Sequence, residues 1–142
     1  MARHVIAISE ALLLGLHGMG LLAASQKRLS AHEMAQCLGA SEAHLTKIFQ
    51  HLVHEGLVES VRGPGGGFEL RGNPEGVSLL SIYRAIEGAP RDDAKLCSSC
   101  DHCPFVRCIF GDSLREPASV FLQYLARTTL AAIAMKPAPA TP

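Results

Sequence analysis

The chain has 142 residues, with 13 basic and 13 acidic side chains, a net charge of zero and 48% hydrophobic residues. That length fits one domain, or a small domain with an appendage, and is enough to bury a real core. The balanced charge excludes a strongly basic, indiscriminate nucleic-acid binder but leaves room for a local basic patch.

In chain order, residues 5–24 predict a first helix, apolar on most faces and therefore buried. Its core "ALLLGLHGMGLLAA" is shorter than the roughly 18 apolar residues a membrane span needs. Glu10 and His17 interrupt the apolar stretch, and no small-residue cleavage site precedes "SQKRLS", so neither an anchor nor an export signal is expected. Ser30 followed by Glu33 is a capping-box pattern for a short second helix, with Met34, Ala35 and Leu38 inward and Gly39 as its end. Cys37, alone in that helix, reads as a small core residue.

Ser41 caps a third helix with Glu42 in its first turn. Leu45, Ile48, Phe49 and Leu52 make one apolar stripe at helical spacing, and the other face carries His44, Thr46, Lys47, Gln50, His51 and His54. The three histidines have the spacing of a metal trio but read here as contact or solvent residues. "LVESVRGPGGGFEL" then predicts a hairpin whose tip crowds Gly63, Gly65, Gly66 and Gly67 around Pro64, after Arg62. A phosphate-binding loop of the nucleotide type would follow its glycines with Lys and Ser or Thr, and a dinucleotide fingerprint would open a helix there. Neither occurs, because the glycines run into the extended "FEL". Two short helices and a hairpin are the order of a winged helix-turn-helix, with a capped, polar-faced helix suited to a major groove.

Residues 78–87 predict another helix, closed by Gly88. Cys97, Cys100, Cys103 and Cys108 follow as C-x2-C-x2-C-x4-C. Thiolates this close in sequence can converge on one centre, and soft sulfur selects iron–sulfur clusters or zinc. Four cysteines also satisfy a closed zinc site, and a metal-free thiol switch is the third possibility. From Ala118 through Phe121, Leu122, Leu125 and Leu130 to Ile133 the pattern predicts a single long amphipathic helix, before a proline-rich, disordered tail. The expected organisation is a DNA-binding unit over 1–88, a cysteine-rich cofactor or sensor loop over 89–112, a dimerisation helix over 113–135 and the tail over 136–142. The fold class is mainly α with a small β-hairpin.

"HLTKIFQHLVHEGLVESVRGPGGGFEL" (44–70), "VSLLSIYRAIEG" (77–88), the cysteine loop and "LARTTLAAI" (125–133) together resemble the Rrf-two family of winged-helix regulators, the IscR, NsrR and RirA group. The resemblance implies a cytoplasmic homodimer, with the long last helix packed on its partner and a pseudo-palindromic duplex DNA operator. The third helix would enter the major groove and the wing the minor groove. Family recognition positions fall on Ser41, Glu42, His44, Thr46 and Lys47, with Arg62 and the wing glycines. His44 replaces a frequent tyrosine and Thr46 a frequently acidic residue, so the operator need not be that of a relative. The family further implies an iron–sulfur cluster, 4Fe–4S or 2Fe–2S, on Cys97, Cys103 and Cys108. Cys100 is additional, Cys108 comes one residue early, and Ser9, Glu10 and His102 are candidates for a non-cysteine ligand. No nucleophile, base and orienting group stand together, so an enzyme is not expected. The competing class is a metal- or electron-handling protein whose winged helix binds protein.

Overall fold

The computed structural model describes residues 8–90 and 102–134. Helices α1 (Glu10–Ser25), α2 (Ala31–Leu38) and α3 (Glu42–His54) are followed by strands β1 (Val58–Val61) and β2 (Gly67–Leu70). A 3-10 turn at Pro74–Gly76, then α4 (Leu79–Glu87), α5 (Arg115–Arg127) and α6 (Leu130–Ala134), complete the described elements.

Helix α1 is the central element. Leu12, Met19, Leu22 and Ala23 are buried on it, and α2, α3, α4 and α6 pack around it. Its small residues make this possible: a Cβ on Gly18 would lie 2.6 Å from the Phe49 ring. Leu13 and His17 face outward, so burial is confined to part of the helix surface and not to most faces. Ser9 caps α1 by accepting from the Leu12 amide, and its hydroxyl donates to Glu87 at the far end of α4. The helix therefore begins at Glu10 and not at residue 5: Ile8 is not helical and Ser9 is extended at φ −60°, ψ 145°, while residues 5–7 lie outside the described residues.

The predicted local signals for α2 and α3 are present in detail. Ser30 accepts from the Glu33 amide while the Glu33 carboxylate accepts from the Ser30 amide at 2.7 Å, and Gly39 ends α2 in the left-handed region at φ 61°. Ser41 accepts from the His44 amide. The stripe of Leu45, Ile48, Phe49 and Leu52 is entirely buried. Cys37, by contrast, is exposed on α2 and is not a core residue, because Met34 and Ala35 occupy the inward face and Leu38 its margin.

The hairpin pairs Val58 with Leu70, Glu59 with Glu69, Ser60 with Phe68 and Val61 with Gly67. Leu29, between α1 and α2, adds a bridge to its outer edge through two backbone hydrogen bonds with Phe68, 3.0 and 2.8 Å long. This contact explains Gly67: at φ 149° it lies so close to Leu29 that a Cβ would meet the Leu29 carbonyl oxygen at 2.5 Å. Gly66 is equally constrained, since a Cβ there would collide with the Val61 carbonyl.

The expected single helix over Ala118–Ile133 is two helices. Thr128 is extended at φ −93°, ψ 122°, and Thr129 forms a bridge with Ser78. The Leu79 amide donates to Thr128 (2.9 Å) and the Leu130 amide to Val77 (2.8 Å), so backbone groups released by the break are satisfied across the chain. The break turns Leu130 fully inward and brings α6 back against α1. Among the described residues no helix is long and apolar enough to cross a membrane. The predicted disordered tail, 136–142, lies outside the described residues.

Candidate nucleic-acid interface and cysteine loop

The buried stripe of α3 fixes which side chains face away from the core. Ala43, Lys47, Gln50 and His54 are exposed, with Thr46 partly buried beside them. Thr46 donates its hydroxyl to the Glu42 carbonyl at 2.8 Å, and Ser41 and Glu42 lie exposed at the helix start. Glu42 is held by His32 of α2, with Nδ1 and Oε2 3.0 Å apart. The outward face is therefore a narrow polar surface on a helix capped at its N-terminus, dimensions a major groove admits.

Two histidines belong elsewhere. His44 turns toward α1, its Nδ1 3.9 Å from Glu10, and His51 donates from Nε2 to the Ala85 carbonyl of α4 at 2.5 Å. His44 is half-buried toward α1, while His51 stays exposed as it reaches α4, and among the described residues the three histidines form no metal trio. The reason is angular: residues 44 and 51 sit on the flank of the helix that α1 and α4 approach, a placement sequence spacing alone does not reveal.

Helix α3 runs through Gly56 directly into β1, which makes the wing an extension of the same body. Arg62 is exposed at the start of the tip, followed by Gly63 and Gly65, also exposed. Behind the tip stands Arg28, which sequence reasoning passed over. Its Nη1 donates to the Gly65 carbonyl and its Nη2 to the Glu69 carboxylate, both at 3.3 Å. No pattern in "SQKRLS" announces that contact, because its partners lie about forty residues onward.

The cysteine loop is described in part. Cys103 and Cys108 are free, exposed thiols, and His102 is exposed beside them. Cys97 and Cys100 lie outside the described residues. Among the described residues no three histidine, cysteine or carboxylate side chains gather into a metal-holding group. Ser9, one of the candidate non-cysteine ligands, donates its hydroxyl to Glu87, while Glu10 is exposed with its carboxylate 3.9 Å from His44. The donor chemistry of four thiols within twelve residues still fits a soft metal centre.

The Rrf2 family model, described as an iron-dependent transcriptional regulator, matches residues 8–136. The chain belongs to this family. Protein BadM of Rhodopseudomonas palustris is 40% identical over 86 residues, 60% of this chain and 55% of BadM. The HTH-type transcriptional regulator IscR of Vibrio cholerae is 29% identical over 115 residues, 80% of this chain and 65% of IscR. The chain thus spans less than two thirds of the length of these two relatives. Among solved structures, CymR, the global cysteine regulator of B. subtilis, superposes with a TM-score of 0.70 at 27% identity, covering 92% of this chain and 97% of CymR.

Proposed function

We propose that this chain acts in the cytoplasm as a homodimeric regulator that binds a pseudo-palindromic duplex operator. The observation that carries this reading is the exposed polar face of capped α3, continuous through β1 with a wing that presents Arg62. Lys47, Gln50, Thr46 and the α3 start at Ser41 and Glu42 would meet the major groove. Arg62 and the open backbone of Gly63 to Gly67 would meet the adjacent minor groove, whose negative potential favours an arginine. Two copies would present their α3 helices about one duplex turn apart, roughly 34 Å. The second copy would cover α5, where Val120, Phe121 and Tyr124 are exposed in the single chain.

Regulation is assigned to the cysteine loop. Cys97, Cys100, Cys103 and Cys108 as thiolates would hold an iron–sulfur cluster, which when bound supplies sensitivity to iron, oxidants or nitric oxide. The loop leads into α5, which Leu125 anchors in the core and whose end is pinned to Ser78 through Thr129. Ordering or releasing the loop would therefore bear on α5 and on the spacing of the two α3 helices. A second reading, a metal-free thiol switch, is favoured by the exposure of both Cys103 and Cys108. A structural zinc on the same four thiols is the remaining alternative.

Oxygen-free purification, an absorption spectrum and iron, sulfide and zinc analysis separate the three. The cluster reading expects a visible chromophore with iron and sulfide, and Cys103→Ala should yield a folded protein without it. An unchanged spectrum in that variant would remove Cys103 from the ligand set.

A further inference from the structure

We infer that Arg28 is a positioning residue for DNA binding: it clamps the wing from behind and holds its tip in the shape that presents Arg62. This rests on the DNA-binding reading above.

The hairpin needs such a clamp for two reasons. Glu59 and Glu69 are direct cross-strand partners, and like charges so placed repel. Each is met by an arginine: Glu59 by Arg71 at 3.7 Å, Glu69 by Arg28 at 3.3 Å. The tip itself, Arg62 to Gly66, is rich in glycine and closes on one backbone hydrogen bond, Gly66 to Gly63 at 2.9 Å. Three glycines in five residues raise the entropy cost of holding the tip in one shape.

Arg28 addresses both. Its guanidinium forks between the Gly65 carbonyl at the tip and the Glu69 carboxylate on β2, a planar two-point contact that an ammonium cannot reproduce. The neighbouring Leu29 is already bridged to Phe68, so the base of the Arg28 side chain is fixed to the same strand it braces. Its Nε is buried although the side chain as a whole is about a third exposed, so the guanidinium reaches the wing from the protein side of the tip. The connection between α1 and α2 thereby becomes a strap that sets wing geometry.

The rival role is a direct phosphate contact by Arg28, and the two part on Arg28→Lys, on the salt slope and on Glu69→Ala. As a clamp, Arg28→Ala and Arg28→Lys both weaken operator binding, by about threefold to tenfold, with thermal stability nearly unchanged and the salt dependence of binding retained. As a phosphate contact, lysine would preserve affinity and alanine would lower the salt slope by about one. Glu69→Ala sharpens the contrast: loss of the clamp's anchor lowers affinity, whereas freeing a phosphate-binding arginine from an acid raises it. In the free protein, amide NMR order parameters at Gly63, Gly65 and Gly66 should fall in Arg28→Ala toward the flexible range below about 0.6. Unchanged order at the tip, or unchanged or increased affinity in Glu69→Ala, overturns the proposal. If wild-type protein binds no duplex DNA, the functional reading fails instead, and the order parameters still report whether the clamp exists.

Discussion

Residues 10–88 and residues 102–127 treat the same kind of side chain in opposite ways. All of the buried apolar core except Leu125 and Leu130 lies between Leu12 and Ala85. The segment from Phe105 to Tyr124 instead exposes Phe105 by 61%, Ile109 by 76%, Val120 by 59% and Tyr124 by 53%. Helices α1 to α4 carry serine caps throughout, at Ser9, Ser30, Ser41 and Ser78, while α5 starts at Leu114 with no side-chain cap. The front half supplies most of the core, closed by Leu125 and Leu130, and the arm carries apolar surface that a single chain leaves in water. Exposed apolar side chains gathered into one patch would mark an interaction surface.

The contrast can be broken most forcefully in the core. Phe49→Ala should cost about 3–5 kcal/mol by chemical denaturation, independent of protein concentration, since its ring is fully buried against Gly18 and Phe68. A loss under about 1 kcal/mol would mean that the front half is not the stability unit described. Val120→Asp on α5 should act through association, weakening the dimer by about 2 kcal/mol or more and shifting sedimentation toward monomer. If the wild-type chain sediments as a monomer at all concentrations, a different partner must cover α5.

Arg62→Ala should lower operator affinity by about tenfold or more while moving unfolding stability by less than about 0.5 kcal/mol, because the side chain is exposed. Retained affinity would leave the wing without a role in binding. Ser30→Ala should cost about 1 kcal/mol through the lost cap of α2, read by thermal melting.

The smallest effect is one of pH. Glu33 has its carboxyl held below the usual range, first by the Ser30 amide and then by the Ser30 hydroxyl. A depressed folded value means its contribution is present above the ordinary glutamate range, near 4.5, and is lost as pH falls through the lower folded value. Glu33→Gln should therefore flatten the acid limb of the stability profile slightly. An identical acid limb would show that the capping box contributes nothing through charge.

Much of the front half was legible because its signals are local. Ser30 with Glu33, Ser41, Gly39 and the stripe from Leu45 to Leu52 each involve residues within one or two turns, where backbone geometry alone dictates partners. The wing was legible for its glycines, although Gly66 and Gly67 answer first to Val61 and Leu29 within the chain and not to a ligand. The contacts of His44 with Glu10 and of His51 with Ala85 were not legible, because the wheel angle of a flanking residue acquires meaning only when α1 and α4 are set beside α3.

The sequence by itself determined the element order as far as α4, the caps at Ser30 and Ser41, the core stripe of α3, the absence of a nucleotide loop and the four-thiol spacing. These follow from periodicity and from side chains that satisfy nearby backbone groups. Tertiary structure alone decided that Cys37 faces outward, that Arg28 reaches Glu69 and Gly65, and that the last helix breaks at Thr128. In the last case the amphipathic pattern runs on unbroken, yet burying Leu130 and pairing Val77, Ser78 and Leu79 with residues 128–130 outweigh a continued helix. That balance depends on groups about fifty residues away, and no local pattern encodes it.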